Sequence, residues 1–115
     1  MGVFSVESLK GLNHIQVAYR GKDNPIEVLL KEDEKEYDFS GAHAIRCKIG
    51  EVLIDSATEP EAFDRTEAQI GKLKIFIGDQ VIAPQAYNVK VEIDDAEKRT
   101  LYFGHVRVKI EDPGI

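Results

Sequence analysis

The residues best suited to metal binding or proton transfer in this chain are three histidines, His14, His43 and His105. None has a second histidine two or four residues on, the spacing by which one strand or one helical turn offers a metal two ligands. No metal centre is therefore expected. Two acidic clusters, Glu32-Asp33-Glu34 and Asp94-Asp95, contain the residue types of glycosidase acids and calcium loops. Neither has the Asp-x-Asp-x-Asp-Gly spacing of a calcium loop, and both fall in predicted hairpin turns, where carboxylates are ordinarily solvated. Ser5, Ser8, Ser40 and Ser56 lie outside any Gly-x-Ser-x-Gly elbow. Gly21-Lys22 and Gly71-Lys72 lack the upstream glycine and following hydroxyl residue of a phosphate loop. Cys47 lies in Ile45-Arg46-Cys47-Lys48-Ile49 on the side of the isoleucines, which marks it as a small core residue and not a nucleophile. No catalytic, cofactor-binding or metal-binding residue is assigned, no cofactor is expected, and the chain does not read as an enzyme.

Charge narrows the partners. Charged residues make up 31% of the chain and its net charge is −6, a sign that repels nucleic-acid phosphates and anionic membranes. Basic residues recur in outward pairs: Arg46 with Lys48, Lys72 with Lys74, and Arg107 with Lys109. If their strands are neighbours, these pairs form a positive sheet face; otherwise each pairs with a carboxylate across the sheet. Phe76 and Tyr102 are the aromatics placed to stack bases there, too few for nucleic acid to be an expected partner. The one cysteine cannot form an internal disulfide, which fits a reducing compartment. No stretch approaches the roughly 18 apolar residues of a membrane span. The N-terminus shows no basic segment followed by an apolar one, as a secretory signal would. Val6 stands where myristoylation wants Ser or Thr. The expectation is synthesis in the cytoplasm without a signal peptide.

Strands must position these residues, because period-two alternation dominates the chain. Six runs carry it: 14–19, with Ile15, Val17 and Tyr19 on one side; 25–31, with Ile26, Val28 and Leu30; 43–49; 71–78, with Leu73, Ile75 and Ile77; 87–93, with Val89, Val91 and Ile93; and 105–110. Residues 51–54 form a shorter candidate, and 100–103 either stand alone or extend the last run. Gly21, Ser40-Gly41, Gly50, Gly78-Asp79, Asp94-Asp95 and Gly104 supply turn chemistry between them. Residues 58–69 break the pattern. Thr58 and Glu61 have capping-box spacing with Pro60 early, so the segment is one short helix or a loop crossing between sheets. The 115 residues and 43% hydrophobic content support one domain with one core. The fold class is all-β, an antiparallel sandwich with at most one short helix. Residues 1–19 form an N-terminal arm and first strand, and 20–115 the sandwich, together one domain.

The order of several phrases resembles a known family. Ile26-Glu27-Val28-Leu29-Leu30 precedes an acidic turn, and Tyr37-Asp38-Phe39-Ser40-Gly41-Ala42 leads into the strand with Arg46. Ile54-Asp55, Gly71-Lys72-Leu73-Lys74-Ile75 and Tyr87-Asn88-Val89-Lys90-Val91-Glu92-Ile93 follow. The end is Leu101-Tyr102-Phe103 and Lys109-Ile110-Glu111-Asp112-Pro113. Between Arg20 and Asp112 the chain is similar to the immunoglobulin-like domains of phage tail and baseplate proteins, of the upper-baseplate type. That resemblance implies an immunoglobulin-like sandwich, scaffolding in place of catalysis, a location in the virion, and partners among other virion proteins or copies of itself. The arm before it holds Val3, Phe4 and Val6 as possible assembly contacts: they add a strand to a neighbouring subunit or cap their own sandwich. The competing reading is a soluble carbohydrate- or ligand-binding sandwich that uses the loops at one end. The absence of Trp weighs against it, since sugar-binding faces usually expose aromatic rings.

Overall fold

A computed structural model describes residues 2–9, 15–78, 80 and 82–114. Among these described residues ten strands run in the order β1 (Phe4–Ser8), β2 (Gln16–Tyr19), β3 (Ile26–Glu32), β4 (Lys35–Glu36), β5 (Ala44–Ile49), β6 (Val52–Asp55), β7 (Phe63–Asp64), β8 (Lys72–Ile75), β9 (Ala86–Asp94) and β10 (Thr100–Glu111). The first sheet has the order β1-β3-β8-β7, with β4 paired to β3; the second has the order β2-β10-β9-β5-β6. Their inward side chains share one core, in which Ile26, Val28, Leu30, Ile45, Ile49, Ile54, Leu73, Ile75, Val89, Val91 and Ile93 are fully buried. This is an all-β immunoglobulin-like sandwich. Its strands divide between the sheets as in that fold, including an N-terminal segment that visits both sheets. Among the described residues every pairing is antiparallel except β2 with β10, which run parallel.

Two details depart from simple alternation. In β10 the buried positions change parity, from Phe103 to Val106, Val108 and Ile110. The strand accommodates the change with a bulge, where its register against β9 shifts between Tyr102 and Gly104. Gly104 has φ of +107°, a value glycine reaches without steric cost. In β2 the expected inner side is reversed: Ile15 is exposed, Val17 and Tyr19 are half-buried, and Gln16 and Ala18 face the core. Residues 58–69 hold no α-helix. They carry the chain from the second sheet to the first through single 3₁₀ turns at Pro60–Ala62 and Ala68–Ile70, flanking β7. The cap residue of the first turn is Glu59, without a side-chain cap, and the Thr58 hydroxyl donates to Asp55 O instead.

Gln16 explains why a polar residue takes the core position. The ladder between β1 and β3 ends just past Ser8, where Leu9 N still donates to Glu27 O at 3.1 Å, and the Glu27 N–H is left in need of a partner. The Gln16 side chain supplies it: Oε1 accepts from Glu27 N at 2.8 Å, and Nε2 donates to Glu27 O and to Ser8 Oγ, both at 2.6 Å. A side-chain amide here replaces the backbone of a neighbouring strand and ties β2 of one sheet to β3 of the other. Gln16→Leu keeps the volume but leaves the part-buried Glu27 N–H without its partner, a loss of about 1–3 kcal/mol. Urea unfolding measures it; a loss under about 0.5 kcal/mol would contradict the role assigned to the amide.

Candidate functional site

The candidate residues scatter. His14 lies outside the described residues; His43 and His105 are exposed on different strands or loops. His43, four residues before Cys47, stays in solvent while the thiol faces the core, so the two do not form a ligand pair. Among the described residues no group of three His, Cys, Asp or Glu could hold a metal. Burial pushes the Cys47 thiol up to about 12, which keeps it protonated and unreactive. The Ser56 hydroxyl accepts from Ile45 N at 2.8 Å, and Ser40 closes a turn on Asp38 Oδ1. Both serines are structural.

The acidic clusters separate in kind. Asp33 and Glu34 form the β3–β4 turn with φ of +52° and +67° and are exposed, as expected. Asp94 and Asp95 are not solvated loop charges. Asp95 is buried and caps the β9–β10 hairpin, accepting from the backbone N–H groups of Glu97 and Arg99 and from the Arg99 side chain. Asp94 closes β9 and holds the Arg46 guanidinium in a two-pronged contact of 2.6 and 2.7 Å, while Arg46 Nε reaches Glu92 at 2.6 Å. The hydrogen bonds from Arg46, then from Thr100, pull the Asp94 carboxyl down to about 2.

The arm pairs inside its own sheet. β1 runs antiparallel to β3 with Phe4 opposite Glu32 and Val6 opposite Leu30. The Phe4 ring packs edge-on to Tyr37 and Phe103, at 5.8 and 5.1 Å between centroids. Val3 exchanges two 2.8 Å hydrogen bonds with Asp33. Phe4 and Val6 are half-buried against the core, and of the three expected contacts Val3, 72% exposed, is the one that faces solvent.

Of the two alternatives for the basic pairs, the single merged face does not form, and Arg46 pairs with carboxylates across the sheet. Lys72 and Lys74 belong to β8 in the first sheet, apart from the other two pairs. Arg46 is neutralised by Glu92 and Asp94, Lys109 reaches Glu111 at 2.9 Å, and Arg107 donates to Asn88 Oδ1. What remains is a row across the outer face of the second sheet. The pairing registers place Leu53 of β6 opposite Lys48 of β5, Lys48 opposite Lys90 of β9, and Lys90 opposite His105 of β10. Among the described residues neither lysine has an ion-pair partner. Like charges directly opposite each other destabilise a sheet by roughly 0.2–1 kcal/mol. The row borders a shallow groove of about 140 Å³ lined by Arg46, Lys48, Leu53, Lys90, Glu92 and Tyr102. Leu53 and Tyr102, 55% and 54% exposed, set apolar surface beside the cations. Sequence reasoning had Lys48 but missed Lys90 and Leu53, because only the register across three strands aligns them.

A second depression lies at one end of the sandwich, about 510 Å³ and open, between Gly2, Phe4, Glu32, Tyr37, Asp95, Arg99 and Tyr102. Burial and the nearby Asp95 carboxylate raise the Tyr37 phenol above its ordinary value, so the ring stays neutral there.

No family model matches the chain, and no curated protein matches it. Among solved structures it is similar to the endo-β-1,4-mannanase from Thermotoga petrophila, with a TM-score of 0.56 and 9% identity. The match covers 97% of this chain and 20% of the mannanase chain. The chain spans about a fifth of that protein, and at this identity the likeness is one of fold.

The Arg46 network makes a pH-dependent contribution to stability. The Asp94 carboxyl sits below its ordinary 3.8 in the folded chain, so its contribution is complete above that value and is lost as pH falls towards about 2. Asp94→Asn should lower stability at pH 7 by about 1–2 kcal/mol, after allowance for solvent screening. It should also flatten the fall of stability between pH 4 and pH 2. Urea midpoints measured across that range check both; an unchanged acid slope would contradict the assignment.

Proposed function

We propose that this chain is a structural module of a phage or prophage virion, built into the tail or baseplate and acting by protein–protein contacts. The observation that carries this reading is the outer face of the second sheet. It combines exposed Leu53 and Tyr102 with a lysine row that the fold itself leaves unneutralised, a composition suited to covering by another protein. The immunoglobulin-like sandwich agrees with the family resemblance between Arg20 and Asp112, and that resemblance is the source of the virion assignment. Other virion proteins are the expected partners, and the chain works inside the particle after synthesis in the host bacterial cytoplasm.

A carbohydrate-binding role is the second reading. It draws on the exposed Tyr102 ring, which lines both depressions, and on the fold likeness to part of a mannanase.

Mass spectrometry of density-purified particles, from a strain that carries the gene, separates the two. The virion reading predicts the chain in intact particles at several copies per tail, and its absence from them would overturn the proposal. Retardation of the pure protein in a mannan-containing native gel would favour the second reading.

A further inference from the structure

We propose that the groove over Lys48 and Lys90 receives an extended acidic segment of a different protein, one that carries two carboxylates and an apolar side chain at every second position and so presents all three on one face. This rests on the reading of the chain as a protein-contact module and names the chemistry of its partner. The row from Leu53 through Lys48 and Lys90 to His105 crosses four strands, β6, β5, β9 and β10. At a strand spacing of about 4.8 Å this is about 14 Å, the reach of an extended segment of about four residues. Two carboxylates on such a segment would meet Lys48 and Lys90, and an apolar side chain would cover Leu53 or the Tyr102 ring. The carboxylate already in the groove, Glu92, is held by Arg46 at 2.6 Å and does not neutralise the lysines.

A second copy of this chain is the weaker occupant. Two copies meeting through this face would set Lys48 and Lys90 against the same lysines, and a net charge of −6 on each adds long-range repulsion. A nucleic acid or sulfated polysaccharide would satisfy the cations but leave Leu53 uncovered.

The placement of Lys90 makes a test that separates binding from folding. It stands opposite Lys48 in register, so Lys90→Glu turns a like-charge contact into an attractive one. The account predicts a urea midpoint at or above that of the native chain, together with loss of the partner. Fluorescence anisotropy with a labelled Glu-Leu-Glu-Glu-Leu peptide reads the second effect. Lys90→Glu should weaken binding by at least about tenfold, about 1.4 kcal/mol. Lys90→Arg should retain it. Lys22→Glu, with the same change in net charge on an exposed loop, should stay within about twofold, and added salt should weaken binding by the native chain. The proposal is overturned by any of four results: no binding by the native chain, equal loss in Lys22→Glu, a lowered midpoint in Lys90→Glu, or tighter binding to heparin than to the peptide. The chain's presence in virions is read independently, so a failed peptide test with the chain found in particles removes this groove and leaves the assembly reading standing.

Discussion

The register of β9 against its two neighbours decides both what this protein buries and what it shows. Val89, Val91 and Ile93 fill the middle of the core, which forces Asn88, Lys90 and Glu92 onto the opposite face of the strand. A slip of one residue would exchange the two sets and bury a lysine and a glutamate. Hydrophobic burial alone resists that slip, and the Arg46 clamp adds to it from outside. Its guanidinium on β5 grips Asp94 and Glu92 of β9 with three short hydrogen bonds. The planar fork of arginine matches a carboxylate in a fixed orientation, so the clamp specifies alignment as well as adding energy.

The same alignment brings Lys48 opposite Lys90. The neighbouring row is neutralised and this one is not, although the chain carries more acidic than basic residues. An uncompensated contact of this kind costs the fold a little stability and leaves two cations free beside Leu53 and Tyr102. A small local cost at an exposed site is the usual mark of a surface shaped by something other than folding. Among the described residues of the first sheet no two basic residues stand opposite each other in register, and Lys31 is paired with Glu7 at 3.0 Å.

Much of the sandwich was legible in the sequence because burial on one face writes itself as alternation. Residues 87–93, 25–31 and 43–49 became β9, β3 and β5 with the expected residues inward. Where a different force acted, the reading failed. At β2 the apolar residues Ile15, Val17 and Tyr19 suggested the inner side, but an unpaired backbone amide on Glu27 drew the Gln16 amide inward. Hydrogen-bond satisfaction outweighed side-chain hydrophobicity there. At β10 the parity change between Phe103 and Val106, with Gly104 between, is a bulge signal, and of the two readings of 100–103 the structure adopts the one in which they extend the last run. Asp94 and Asp95 looked like solvated turn charges because their partners, Arg46 and the hairpin backbone, are set by tertiary structure. The contacts of Phe4 with Tyr37 and Phe103 were out of reach because the three rings come from distant parts of the chain. The lysine row was out of reach for the same reason: its members come from β5 and β9, distant in sequence.

The central claim is that the outer face of the second sheet is the working surface, covered when the protein is in its assembly. Lysine reactivity tests it most directly, by pulsed reductive methylation of the free chain and of intact particles followed by peptide mass spectrometry. The account predicts that Lys48 and Lys90 lose most of their reactivity in particles while Lys22 and Lys35 keep theirs. Equal reactivity of Lys48 and Lys90 in both states would contradict it.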